Sequence, residues 1–170
     1  MILASYDGSP DAQAAIDRAA QLMPGAEVTV LTVWEPFQQA LSRTGGMGMG
    51  MGTSYPDGGE IDAATEAAAS ARATEGAERA RAAGLDAEPR IAMREDGIAG
   101  AILAVADQLN ADAIVLGTRG LTGLRSMLLG SVSHAVLQHA DRSVIVVPSP
   151  AVAEERREWV HHRDVASSAA

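Results

Sequence analysis

The residues best placed to do chemistry lie between Gly117 and Ser133, where the chain reads GTRGLTGLRSMLLGSVS. Glycines and hydroxyls are spaced there like a grip for phosphate. The apolar run Ala113-Ile114-Val115-Leu116 ahead of it is short, bounded and β-branched enough for a buried parallel strand. Behind it, Val132 to His139 is apolar at helical spacing and predicts a helix. Strand, glycine loop and helix N-terminus together make an anion site, because the unpaired amides of the first turn and the aligned peptide dipoles both favour negative charge. Gly117 and Gly120 bracket a tight turn that either lets backbone approach a ligand or needs positive φ, and Gly130 offers the same further on. Ser131 and Ser133 stand where a hydroxyl caps a helix or donates to a phosphate oxygen. Arg119 and Arg125 add planar cations suited to phosphate.

Two common nucleotide motifs are excluded. The chain has no lysine, so it cannot carry a Walker A loop or a kinase lysine. Its first turn, Tyr6-Asp7-Gly8-Ser9-Pro10, lacks the paired glycines of a dinucleotide fingerprint. Instead, Gly117-x2-Gly120-x9-Gly130-Ser131 resembles the ATP-binding signature of universal stress proteins, Gly-x2-Gly-x9-Gly-Ser/Thr, with every fixed position filled. Residues 1–9 are similar to that family's opening strand and Asp-x-Ser turn, Leu128 to Ser133 to its aliphatic segment, and Ser143 to Pro148 to its closing strand. The resemblance covers residues 1–149; Ser143 departs from it, standing where a proline is common.

The resemblance implies an open, mostly parallel five-stranded α/β sheet of order 3-2-1-4-5, Rossmann-like and adenine nucleotide alpha hydrolase-like, with helices on both faces. It implies a nucleotide site made of Ser5, Tyr6, Asp7, Val33, Leu116, Gly117, Thr118, Arg119, Gly120, Gly130, Ser131, Val132 and Ser133. In that picture Asp7 accepts hydrogen bonds from ribose hydroxyls, Val33 touches adenine, and the glycine loop holds the phosphates of ATP. Mg²⁺ would accompany the ATP, with no protein ligand to assign to it. Taken from the residues alone, Asp7 serves equally well to shape its turn, and Val33 is an ordinary core valine. The implied function is a nucleotide-responsive switch or adaptor in the stress response. Two rivals stand beside it: a slow ATPase or autophosphorylating enzyme, and a nucleotide-free interaction protein. Against turnover stand the missing lysine and the lack of an evident general base or second carboxylate near the loop.

The elements that must position these residues follow from periodicity. Ile2 to Tyr6 predicts a first strand; Ser9 and Pro10 then read as N-cap and first residue of a helix with an apolar stripe from Ala12 to Met23, stopped by Pro24-Gly25. Ala26 to Trp34 predicts a second strand, with Trp34 and Phe37 either shielding a base or packing. Periodicity then fails, and residues 38–59 are expected as a flexible Gly/Met-rich loop, a lid or adaptable contact surface rather than a copper(I) site, since no Cys or His lies close in sequence. Glu60 to Ala83 predicts the longest helix, weakened at Gly76; Leu85 to Met93 a third strand, placed at an edge by Pro89; and Asp96 or Gly97 the cap of a helix running to Leu109. Strands alternating with helices call for a parallel sheet covered on both faces.

Composition sets the outer limits. At 170 residues one domain is expected, and a net charge of −9 argues against nucleic acid and anionic membrane. Without cysteine there are neither disulfides nor thiolate metal sites. No export signal or membrane span is evident at the N-terminus or beyond, so a cytoplasmic protein is expected. Residues 150–170 read as a tail, either a frayed helix or disordered, and its adjacent His161 and His162 would diverge on a helix rather than share a metal. Four consecutive β-branched residues, Val144 to Val147, on what the resemblance makes an edge strand predict a homodimer through residues 143–148, unless the tail folds back over that edge.

Overall fold

The computed structural model describes residues 1–43, 58–118, 120 and 129–157. Five parallel strands, β1 (Ile2–Ser5), β2 (Glu27–Trp34), β3 (Asp86–Met93), β4 (Ala113–Gly117) and β5 (Ser143–Val147), form one sheet of order β3-β2-β1-β4-β5. Ile2 pairs with Val28 on one side and Ala113 on the other. The helices are α1 (Pro10–Leu22), α2 (Phe37–Arg43), α3 (Gly58–Ala82), α4 (Gly97–Gln108) and α5 (Ser131–His139), with a sixth helical stretch at 150–157. The fold class and strand order expected from the sequence are those observed.

Because successive strand residues point to opposite faces, β1 divides the core in two. Ile2 and Ala4, followed by Tyr6, face α1 and α3 and pack with Ala12, Ala15, Ile16, Ala19, Ala77 and Ala80. Leu3 faces the other way, with Ile102 and Val105 of α4 and Val136 of α5. The first layer is built from small residues and permits close approach. Gly76, a weak point in the sequence of α3, belongs to that design: a Cβ there would stand 2.7 Å from Tyr6 Cδ1 and 2.8 Å from Val30 Cγ1.

Local signals act at the positions that carry them. Ser9 Oγ accepts from the Ala12 amide at 3.2 Å and Pro10 opens α1. Pro89 lies on β3, an edge strand. One expectation is corrected: residues 38–43, expected as the start of a loop, belong to α2. The Phe37 amide donates to Asp62 of α3 at 2.5 Å, a tertiary cap that periodicity cannot reveal. The Gly/Met run itself, residues 45–52, lies outside the described residues. The start of the tail, residues 150–157, is helical and buries Val152, while His161 and His162 lie outside the described residues.

Candidate functional site

Beyond Ser5, Tyr6 stays pinned to the sheet: its amide donates to the Leu31 carbonyl and its own carbonyl accepts from Thr32 Oγ1, both at 2.8 Å. Asp7 is therefore the first residue released from the strand. Its carboxylate accepts from the Ser9 amide at 3.0 Å, and the turn closes through Gly8 at φ +81°.

On the neighbouring strand β4, Gly117 ends the pairing opposite Val147. A Cβ on Gly117 would stand 2.7 Å from both the carbonyl carbon and Cβ of Asp11. The first turn of α1 thus demands this glycine, and its φ is not positive. Thr118 is fully buried and spends every polar group internally. Its hydroxyl donates to the Asp11 carboxylate and its amide to the Val147 carbonyl at 2.9 Å. Its carbonyl accepts from the Gly130 amide at 2.7 Å and from Ser133 Oγ at 2.9 Å.

Those bonds revise the picture of the loop's exit. Gly130 is the N-cap of α5 in an extended conformation, φ −70°, so positive φ is not its purpose. Ser131 is the exposed first residue of the helix. Ser133 is buried and directs its proton at the carbonyls of Thr118 and Gly130, the latter at 3.0 Å. Val132 packs half-buried against the core that contains Leu116.

Across the two turns, Gly120 returns the chain to Asp7. A Cβ on Gly120 would stand 2.5 Å from Asp7 Oδ2, so a turn from β4 lies directly on the carboxylate from β1. The strand order makes this the point where successive strands are laid down on opposite sides of β1, and ligands in open α/β sheets bind at such a point, beyond the carboxyl ends. Of the residues expected here, Asp7, Gly117, Thr118, Gly120, Gly130, Ser131 and Ser133 are brought to one end of two adjacent strands. Ser5 is half-buried beneath them, and Val33 is half-buried on β2. Arg119 and Arg125 lie outside the described residues.

The side chain of Tyr6 turns away into the core, where its hydroxyl donates to Glu75 Oε1 at 2.7 Å. Burial first, and the Glu75 carboxylate second, push this phenol up to about 12. Residues that sequence reasoning missed are Asp11, the buried partner of Thr118, and Arg72, whose side chain lies over Gly8. Asp11 carried only the signal of an acid in a first helical turn; Arg72 carried none. A separate cavity of about 570 Å³ opens beyond β2 and β3, where Glu35 binds Arg43 at 3.0 Å and Arg94 at 3.1 Å. The Arg43 hydrogen bond, ahead of the Arg94 charge, holds the Glu35 carboxyl below its ordinary range.

Comparison with known proteins adds a family to this geometry. Residues 1–148 match the model of the universal stress protein family. A Thermus aquaticus relative, the universal stress protein in the QAH/OAS sulfhydrylase 3' region, is 32% identical over 157 residues, covering 86% of this chain and 96% of its own. Among solved structures, the universal stress protein UspA from Lactobacillus plantarum is similar at 28% identity and a TM-score of 0.59, over 86% of this chain and 95% of that one. A universal stress protein in complex with cAMP is similar at 25% identity and a TM-score of 0.59, over 87% and 96%.

Proposed function

The chain belongs to the universal stress protein family, and from that premise we propose that it binds an adenine nucleotide, ATP foremost, and acts as a nucleotide-responsive switch or adaptor in the stress response. The observation that carries this reading is the seat of Gly120 on Asp7. It forms a cradle that any side chain at position 120 would fill, at the place in the sheet where ligands bind. The cAMP complex of a similar protein supports an adenine ligand. Asp7 accepts from the ribose hydroxyls, Val33 borders the base, and the backbone from Gly117 to Gly120 and the first turn of α5, with Ser131 exposed, face the phosphates. Mg²⁺ would travel with the nucleotide's own phosphates.

We assign no catalytic residue. The buried hydroxyls of Thr118 and Ser133 are engaged by Asp11 and by carbonyls, which suits a binder rather than a phosphoryl acceptor. The reading places the protein in the cytoplasm, where adenine nucleotides are abundant. Among the described residues no helix is long and apolar enough to cross a membrane. We also assign it a homodimer through residues 143–148. β5 is an edge strand whose Ser143 is exposed and whose Val144 to Val146 are half-buried. The helical stretch 150–157 leaves a groove of about 480 Å³ beside that strand.

Calorimetry with ATP, ADP, AMP and cAMP tests the site. Gly120→Ala forces Asp7 aside while leaving the buried core alone, so nucleotide affinity is expected to fall about tenfold or more with an unchanged circular dichroism spectrum. Wild-type protein that binds none of the four, or a folded Gly120→Ala variant that binds as wild type does, would end this reading. Light scattering that shows only monomer would end the dimer assignment.

A further inference from the structure

Arg72 is a half-buried cation whose side chain lies over Gly8, the residue after Asp7, with no hydrogen bond or ion pair among the described residues. Its position is set by Gly8, where a Cβ would stand 3.6 Å from both Cδ and Nε of Arg72. At φ +81° Gly8 has neither a side chain nor the conformation to accept one, and the arginine stem lies across the turn that presents Asp7. Its natural partner one helical turn on, Glu75, accepts the hydrogen bond of Tyr6 instead. Among the described residues, Arg43 and Arg94 are engaged by Glu35 and Arg79 by Asp17; Arg119 and Arg125 lie outside them. Arg18 and Arg157 border the groove beside β5, away from the cleft.

A guanidinium that has no partner among the described residues, on a stem laid over the residue after Asp7, is what a polyphosphate needs and a neutral nucleoside does not. The chain carries a net charge of −9, no lysine, and a carboxylate in the cleft itself, so each added phosphate charge enters an unfavourable field unless a fixed cation meets it. A planar guanidinium can donate two parallel hydrogen bonds to phosphate oxygens, and partial burial strengthens them.

Resting on the nucleotide reading above, we propose that Arg72 is a specificity-determining residue of the cleft. Its guanidinium pairs with phosphate oxygens beyond the first phosphate and selects di- and triphosphates over monophosphates.

Calorimetry with ATP and AMP on wild type, Arg72→Gln and a control, Arg18→Gln, whose side chain likewise has no partner among the described residues, tests this. Arg72→Gln should weaken ATP about tenfold or more and AMP by less than about twofold, while Arg18→Gln changes neither. Arg72→Lys, which keeps the charge and stem but loses the fork, should fall between, and serves if the Gln variant does not fold. Equal loss of ATP and AMP would make Arg72 a support of the turn and overturn the proposal, as would unchanged ATP binding. Wild-type protein that binds neither ligand defeats the nucleotide reading itself, whereas wild-type binding with an indifferent Arg72 defeats only this inference.

Discussion

Thr118 and Gly120 stand two positions apart on one loop and play opposite parts. Thr118 is buried, and its hydroxyl, amide and carbonyl tie together α1, β5 and the start of α5. Gly120 contributes no side chain, and its backbone lies so close to the Asp7 carboxylate that a Cβ would collide with it. A hydroxyl beside a glycine loop looks like a phosphate donor, yet that of Thr118 builds the knot that holds the loop, and in the proposed reading the phosphates meet backbone and the exposed Ser131 instead. The same division appears just after β1, where Tyr6 turns inward to Glu75 and Asp7 stays with the turn beyond the strand.

Substitutions that strike the knot should therefore cost stability, and those that strike the cleft should cost affinity. The largest stability effect is expected at Gly117. Its new Cβ meets backbone of α1 at 2.7 Å rather than the yielding end of a side chain. Gly117→Ala should cost on the order of 3 kcal/mol or more in urea unfolding, because strand and helix must part. A loss below about 0.5 kcal/mol would mean that β4 and α1 are not locked here.

Thr118→Val comes next, at about 2 kcal/mol. The swap preserves shape but strands part of the bonding of a buried aspartate, so the cost is that of desolvation without compensation. If the folded variant keeps its stability and loses ATP instead, Thr118 belongs with Gly120 and the contrast between them collapses.

How far the sequence discloses this arrangement depends on the range of the interactions involved. The strands, the Ser9 cap and the glycine spacing rest on neighbours in the chain and are legible directly. Helix α2 is not, because its first amide is satisfied by Asp62 from α3. Nor is the engagement of Thr118 and Ser133, since the sequence reveals a hydroxyl but not the carboxylate or carbonyl that will take its proton. Gly130 departs from its expected part for a related reason: its amide goes to Thr118, and its place at the cap of α5 requires no positive φ. Gly76 looks like a flaw in a helix because the ring of Tyr6, which requires the gap, comes from the far end of the sequence.

The smallest effect at neutral pH is expected from Tyr6→Phe, and it tests whether the inward residue after β1 is held as firmly in the core as Thr118. The ring stays packed and one hydrogen bond to Glu75 is lost, a cost of about 1 kcal/mol. The pH dependence is more discriminating. Burial and Glu75 raise the phenol from its ordinary 10.0 to about 12, so the folded protein holds a proton that the unfolded chain has begun to release. The stability that this proton represents is complete below the unfolded value and is lost as pH rises from about 10 through about 12. Wild-type stability should accordingly fall across that window more steeply than that of Tyr6→Phe, which has no phenol to ionise at this site, and the two curves should converge. Urea unfolding at a series of alkaline pH values measures both slopes. If they run parallel, Tyr6 ionises as it would in water, and the two residues that follow β1 are not divided between core and cleft as Thr118 and Gly120 are after β4.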